Sequence, residues 1–365
     1  MATFITSKLT GETISISVTT STGYWKYNHN NSDSSVFANG SQTITVTNAN
    51  GEFTIIPCLS DGTVSGNLTE LTLSNNQLTS FDGTGLSGLT SLNLSNNQLT
   101  EFDETGLSSL TYLNISGPKS GVGFLTSVSN LPVTLTSLVL PNNQLELIDV
   151  TGLSSLIGLS LENNKLTSFD GTGLSSLIGL NLSNNQLTEF DETGLSSLTA
   201  LVLQNNQLIS FDGTGLSSLT TLYLQNNGLT SFDGTGLSSL NNLELNNNPL
   251  ITFIGGNMTI PSLDFVSWNI TTLTSINIDG LTLQYLNVSG NIYINNPSVN
   301  NTLLASLAAQ GFMWNENYFI TSGGRTAAGT GDYDYLIANG WIITGADLAP
   351  AVRKLRVKGV GQLNQ

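Results

Sequence analysis

Residues 156–176 read LIGLSLENNKLTSFDGTGLSS, and this stretch decides the fold. The same pattern returns every 21 residues, except for one interval that is four residues longer. The leucines that open the units are Leu68, Leu89, Leu110, Leu135, Leu156, Leu177, Leu198, Leu219 and Leu240. Self-similarity at a period of roughly 20 to 50 residues indicates an array of stacked coils.

Each unit predicts one β-strand followed by a turn that closes the coil. In the quoted unit, Leu159 and Leu161 alternate as in a strand with one buried face, while Leu166 and Phe169 reach the core from the opposite side. The pattern resembles the leucine-rich repeat family over residues 68–291. This resemblance implies a leucine-rich-repeat solenoid, mostly β with short 3-10 or helical turns, whose parallel sheet lines a concave face.

The segments on either side of the regular units predict further β structure. Residues 1–66 are expected to form a β-sandwich-like N-terminal domain. Its strand-like runs are Ile14–Val18, Tyr24–Tyr27, Ile44–Val46 and Phe53–Ile56. The solenoid is expected to span 67–298, and its irregular last coils have cores at Leu263–Phe265, Ile276–Ile278 and Leu286–Val288. Lys119 to Thr134 are inserted into the third unit and predict a loop there.

A small α/β C-terminal cap is expected over residues 299–348. Apolar patterning predicts helices over 302–311 and 332–340 and a final strand over Trp341–Thr344, which would cover the open end of the array. Residues 349–365 form a basic tail with no acidic residue. Either the N-terminal domain or this tail is predicted to dock on the virion, and the bases with which the tail could meet an acidic partner surface are Arg353, Lys354, Arg356 and Lys358.

Composition excludes several classes of function. The net charge is −16 and only 9% of residues are charged, which disfavours binding to nucleic acid or to anionic membranes. The single cysteine, Cys58, permits no intrachain disulfide, and the single histidine, His29, argues against a Ser-His-Asp triad. No phosphate-binding glycine motif opens a helix, so we expect no cofactor and no enzyme.

Two polar ladders recur along the units. An asparagine row is expected to hydrogen-bond the backbone where each strand turns away, and it consists of Asn76, Asn97, Asn143, Asn164, Asn185, Asn206, Asn227 and Asn248. An aspartate row is expected to cap turns, and it consists of Asp82, Asp103, Asp149, Asp170, Asp191, Asp212 and Asp233. Calcium bridging between Asp170, Asp191, Asp212 and Asp233 stays open as an alternative.

One end of the array carries a candidate ligand-binding site. Counting residues from each opening leucine places Glu244 and Asp264 in one outward row on neighbouring strands, which is compatible with a retaining pair of carboxylates. Solvated acids and ligand contacts are the alternatives to that catalytic interpretation. Amides and aromatics that suit sugars are expected nearby, and the predicted ligand-binding set is Tyr223, Gln225, Asn242, Glu244, Asp264, Trp268 and Tyr285.

The function that these features favour is a non-enzymatic structural or adhesion protein. Residues 321–348, TSGGRTAAGTGDYDYLIANGWIITGADL, together with the β-rich start and the repeats, resemble leucine-rich-repeat proteins of bacterial surfaces and marine bacteriophages. Because Met1–Thr20 lacks the pattern of a signal peptide, we expect a virion-surface location, as a phage fibre or capsid-decorating element. Its expected partners are other virion proteins or host-surface glycan, without membrane insertion, and self-association is left open. The alternatives are a secreted bacterial adhesin and a glycan-cleaving hydrolase.

Overall fold

The computed structural model describes residues 2–6, 13–21, 23–29, 32–33, 36–45, 52–58, 67–118, 124–258 and 260, and the strands at 262–264, 275–277, 285–287, 318–320 and 342–344. The chain forms two compact units, Met1–Gln207 and Leu208–Gln365. Every regular element in these ranges is a β-strand, and none of them is a helix suited to crossing a membrane. The helices predicted over 302–311 and 332–340 lie outside the described residues.

The N-terminal segment of the first unit forms two antiparallel layers. Its strands are β1 (Ala2–Thr6), β2 (Thr13–Thr20), β3 (Tyr24–His29), β4 (Ser32–Asp33), β5 (Phe37–Ala38), β6 (Gly40–Thr45) and β7 (Glu52–Cys58). In one layer β3 pairs with β4, β5 and β7, and β7 pairs with β1; in the other layer β2 pairs with β6. The fully buried Trp25 donates its indole N–H to the Ala38 carbonyl at 3.1 Å.

These N-terminal strands are hydrogen-bonded to the first coil, which contains β8 (Leu68–Thr72) and β9 (Leu78–Asp82). Strand β2 lies antiparallel to β8, and β1 lies antiparallel to β9. The inward side chains Ile14, Ile16 and Val18 of β2 are buried. The N-terminal segment therefore pairs with the first coil at both of its strands and shares a compact unit with the coils that follow.

The coils of the first unit repeat a front strand and a back segment. Their strands are β10 (Ser91–Asn93), β11 (Glu101–Asp103), β12 (Tyr112–Asn114), β13 (Ser127–Ser129), β14 (Ser137–Val139), β15 (Gly158–Ser160), β16 (Gly179–Asn181) and β17 (Ala200–Val202). Strands β8, β10, β12, β14, β15, β16 and β17 form a parallel sheet, here called the front sheet. The central leucine of each strand, such as Leu159 or Leu180, points inward and is buried. This confirms the predicted solenoid with a parallel sheet.

The predicted helical turns are absent from the described coils. Between back and front, the chain makes consecutive tight turns: the Leu86 N–H bonds the Gly83 carbonyl, and the Leu89 N–H bonds the Leu86 carbonyl. A glycine in each such turn has a positive φ, for example Gly85 at 79° and Gly173 at 89°. Left-handed residues interrupt any run of helical dihedrals, so the turns do not become 3-10 helices.

The insertion in the third coil is only partly a loop. Residues 119–123 lie outside the described residues, but Leu125 is buried and β13 pairs in parallel with β11. The insertion therefore rebuilds the back of its own coil before the chain enters β14.

The second unit contains β18 (Thr221–Tyr223), β19 (Ser231–Asp233), β20 (Asn242–Glu244), β21 (Thr252–Ile254), β22 (Ser262–Asp264), β23 (Ser275–Asn277), β24 (Tyr285–Asn287), β25 (Tyr318–Ile320) and β26 (Ile342–Thr344). All described pairings are parallel: β18 with β20, β19 with β21, β21 with β23, β22 with β24, and β25 with β26. Phe211, Phe232 and Phe253 stack along the back, with ring centroids 6.5 and 5.7 Å apart.

Candidate functional site

The side chains of the asparagine ladder are hydrogen-bonded to the backbone of the coils. Asn185 is representative: its Oδ1 accepts the Leu166 N–H at 3.0 Å, and its Nδ2 donates to the Leu161 and Leu182 carbonyls at 3.0 Å each. The same exchange recurs along the ladder within each unit. Asn76 differs, since it bonds the backbone N–H and carbonyl of Ser15 and so ties the first coil to β2. These amides hold coils together and leave little to offer a ligand.

A second asparagine row, which the sequence analysis missed, lies on the surface beside the ladder. Its members take a left-handed backbone with φ between 55° and 61°, and they are Asn75, Asn96, Asn142, Asn163, Asn184, Asn205, Asn226 and Asn247. Neighbouring side chains bond each other: the Nδ2 of Asn163 donates to Asn142 at 3.0 Å, and that of Asn205 donates to Asn184 at 2.8 Å. The repeated Asn-Asn pair was the available signal, because asparagine tolerates this conformation better than most residues.

The aspartate ladder caps turns within its own coils. In each case one carboxylate oxygen accepts the backbone N–H of the threonine two residues on, at 2.8 to 2.9 Å. Threonine hydroxyl and backbone bonds lower the pKa of Asp170 below its ordinary value, although Asp191 and Asp149 act in the opposite direction. The described residues contain no cluster of three or more acidic, histidine or cysteine side chains suited to a metal ion.

The predicted ligand-binding residues fall into a described group and an undescribed one. Tyr223 and Glu244 are direct register partners on β18 and β20, and the Asn242 Nδ2 donates to the Tyr223 hydroxyl at 2.9 Å. Gln225 follows on the same coil and is half-buried. Tyr285 lies in β24, and Trp268 lies outside the described residues. The structure thus joins a half-buried aromatic, an amide and a carboxylate on two adjacent strands.

The two acids of the candidate hydrolytic pair lie in strands for which no mutual pairing is described. Glu244 is in β20, which pairs with β18, whereas Asp264 is in β22, which pairs with β24. No described pairing joins β20 to β22. The register partner of Glu244 is Tyr223. Arg353, Lys354, Arg356 and Lys358 of the tail lie outside the described residues.

The first unit also contains a buried carboxyl group that the sequence analysis missed. Glu104 is 2% exposed, and within the described residues neither side-chain oxygen has a hydrogen-bond partner. Burial raises the pKa of Glu104 from 4.5 to about 8, and the charge of Asp103 acts in the same direction. Burial of this kind favours the neutral acid over the carboxylate.

Comparison with known proteins supports the repeats. Residues 66–104 match the sequence model described as leucine rich repeats, in two copies. The solved structure of YopM, a leucine-rich effector protein from Yersinia pestis, is 26% identical, and the match covers 62% of this chain and 67% of that one with a TM-score of 0.47. InlJ from Listeria monocytogenes is 22% identical, with coverages of 74% and 72% and a TM-score of 0.31.

A leucine-rich repeat protein of Leptospira interrogans is 18% identical, with coverages of 75% and 83% and a TM-score of 0.36. No curated protein matches the chain. Together with the coil geometry, the match over 66–104 identifies a leucine-rich repeat scaffold.

Proposed function

We propose that the chain is a non-enzymatic virion-surface protein, a phage fibre or capsid-decorating element that binds host-surface glycan or neighbouring virion proteins. The observation that carries the proposal is the outward row of the front sheet, which presents hydroxyl, amide and small apolar side chains in register and no charge: Thr72, Asn93, Asn114, Val139, Ser160, Asn181 and Val202. Interiors of the coils are filled by leucines, so the surface is what remains available for function.

Glycan is the ligand class that the second unit favours. Tyr223 offers a flat apolar ring with a polar tip, Asn242 is already bonded to that tip, and Glu244 supplies an acceptor beside them. Rings with polar neighbours suit the apolar face and the hydroxyls of a pyranose. We therefore assign the predicted ligand site to this group on β18 and β20.

Binding to immobilised bacterial surface polysaccharides tests this assignment. We expect Tyr223→Ala combined with Asn242→Ala to weaken binding about ten-fold or more, since an aromatic anchor and its amide are lost. Ser137→Ala, on the front sheet of the first unit, is the control and should bind as the wild type does. Equal binding by the double variant would rule out this site.

Two alternatives make different predictions. If the chain is a secreted bacterial adhesin, an antibody against it should label host cells and leave virus particles unlabelled. A glycan hydrolase would release reducing sugar from polysaccharide, and Glu244→Gln or Asp264→Asn would abolish the release. We expect no release from the wild type, and release that either substitution removes would establish the hydrolase.

A further inference from the structure

Two isoleucines interrupt a row of threonines at the start of the front strands. The row precedes the first residue of each three-residue front strand and consists of Thr90, Thr111, Thr136, Ile157, Ile178 and Thr199. Ile157 and Ile178 are 48% and 46% exposed, on neighbouring strands whose backbones are joined by the Ile178 N–H bonding the Ile157 carbonyl at 2.8 Å. A threonine would serve the fold equally well there, so the exposed apolar pair calls for another explanation.

Beside each isoleucine the strand lacks a side chain. Gly158 and Gly179 are register partners, and a Cβ built on either one meets no atom within 4 Å. Other strands of the front sheet carry side chains at this place, such as Tyr112 and Ser137. Ile157, Gly158, Ile178 and Gly179, here called the isoleucine patch, therefore combine two exposed apolar side chains with two glycines that have open space above them.

The coils that carry the isoleucine patch are almost entirely negative in charge. Residues 135–198 contain one base, Lys165, and seven acids: Glu146, Asp149, Glu162, Asp170, Glu189, Asp191 and Glu192. The turns that lead into the two isoleucines begin at Asp149 and Asp170, both exposed. An occupant that brings apolar side chains together with positive charge would complement this surface.

The chain itself contains one segment with that chemistry. Residues 352–360 read VRKLRVKGV, in which Val352, Leu355, Val357 and Val360 are interspersed with four bases and no acid. This segment lies outside the described residues and follows the last described strand, β26. Its apolar side chains complement the two exposed isoleucines, and its bases complement the carboxylates of the same coils.

We propose that the isoleucine patch of one copy binds segment 352–360 of a second copy. The proposal deepens the proposed function, because it names a second copy of the chain as one of the neighbouring virion subunits. The two contact surfaces are different, so the contact is heterologous and each bound copy still offers a free patch or a free segment. Successive contacts of this kind produce a ring or a filament, as a fibre requires.

Sedimentation velocity of the full chain tests the contact with two variants. The patch variant carries Ile157→Thr and Ile178→Thr, which restore the threonine found in neighbouring coils. The segment variant carries Arg353→Gln, Lys354→Gln, Arg356→Gln and Lys358→Gln. We expect the wild type to associate as its concentration rises, more weakly in high salt, and each variant alone to associate about ten-fold more weakly or worse.

Mixing the two variants is the decisive step. The patch variant keeps its segment and the segment variant keeps its patch, so an equal mixture should form a complex of two chains that does not grow further. Ile209→Thr is the matched control, because Ile209 is 68% exposed in a different row, in which most coils carry threonine, and it should associate as the wild type does. Thermal melting checks that all variants are folded.

The proposal is overturned if the wild type is monomeric at every concentration, if the patch variant associates as tightly as the wild type, or if the mixture forms no complex. Because purified chain alone is measured, these outcomes are independent of whether the protein binds glycan or is found on a virus particle.

Discussion

At the scale of single residues, asparagine has two roles within each coil. The buried ladder residue, such as Asn185, satisfies three backbone groups, while its neighbour Asn184 takes a left-handed backbone at the surface. The ladder residues were predictable, because they recur at one position and an amide can both donate and accept. The surface row was not predicted, because its role depends on a left-handed backbone that becomes visible only in the structure.

Truncation of one ladder residue should be costly. Asn185→Ala removes one acceptor and two donor contacts to the buried backbone, so we expect it to lower the free energy of unfolding by roughly 2 to 5 kcal/mol. Gln186→Ala changes the adjacent exposed residue and should cost under about 0.5 kcal/mol. Urea unfolding of both variants measures the difference, and equal midpoints would show that the ladder does not stabilise the coils.

Glu104 should make stability depend on pH. Its proton is held up to about pH 8 in the folded chain, from an ordinary pKa of 4.5, so the unfolded state loses the proton first as pH rises. Between those values the folded state is progressively destabilised, by up to about 1.4 kcal/mol per pH unit. Glu104→Gln should remove this decline and be more stable than the wild type above about pH 8.

Unfolding midpoints at about pH 5, 7 and 9 check this expectation. Glu192→Gln is the matched control, because Glu192 is half-buried within the same Asp-Glu-Thr-Gly-Leu sequence, and it should change the pH profile less. A wild-type chain whose stability is flat over this range would contradict the buried acid.

At the scale of elements, the environment of Glu104 shows why sequence reasoning fails at irregular coils. Where this turn position is glycine, the next coil places a leucine against it, as Leu107 does 3.1 Å from a Cβ built on Gly83. The coil after Glu104 has Pro132 in the equivalent turn, since the Leu135 N–H bonds the Pro132 carbonyl. Burial of Glu104 therefore depends on its neighbour in space, which the repeat pattern does not reveal.

The turn after β12 should be intolerant of any side chain. A Cβ at Gly117 would lie 1.8 Å from the Asn142 carbonyl oxygen, so the two coils must separate there. We expect Gly117→Ala to lower the free energy of unfolding by about 1 to 3 kcal/mol. Gly158→Ala is the control, because its Cβ meets open space. Indistinguishable melting of the two variants would contradict this close approach.

At the scale of the whole molecule, the regular coils were predictable and their ends were not. Nine registered copies of one pattern determine the stacking of Leu71, Leu92 and their successors, because a register slip would expose every leucine. In the N-terminal segment the alternation of apolar and polar residues predicted strands, but it did not predict which strands pair with which. Their pairing with β8 and β9 joins residues that are 48 or more positions apart, and local sequence carries no such information.

A substitution that destabilises these N-terminal strands should also destabilise the first coil. Ile16→Ser places a polar group at a position that is 1% exposed, and we expect it to lower the free energy of unfolding by roughly 2 to 4 kcal/mol. Hydrogen exchange should then accelerate in β8 and β9, whereas Ser15→Ala, at an exposed position on the same strand, should leave it unchanged. Unaltered exchange in both variants would mean that the strands do not protect the coil.

The central claim is that this solenoid serves on the outside of a virus particle. Immunogold labelling of purified phage particles, with labelled cells of the presumed host as the comparison, tests it most directly. We predict gold on the particles. Unlabelled particles together with labelled host cells would contradict the virion assignment and favour the bacterial adhesin.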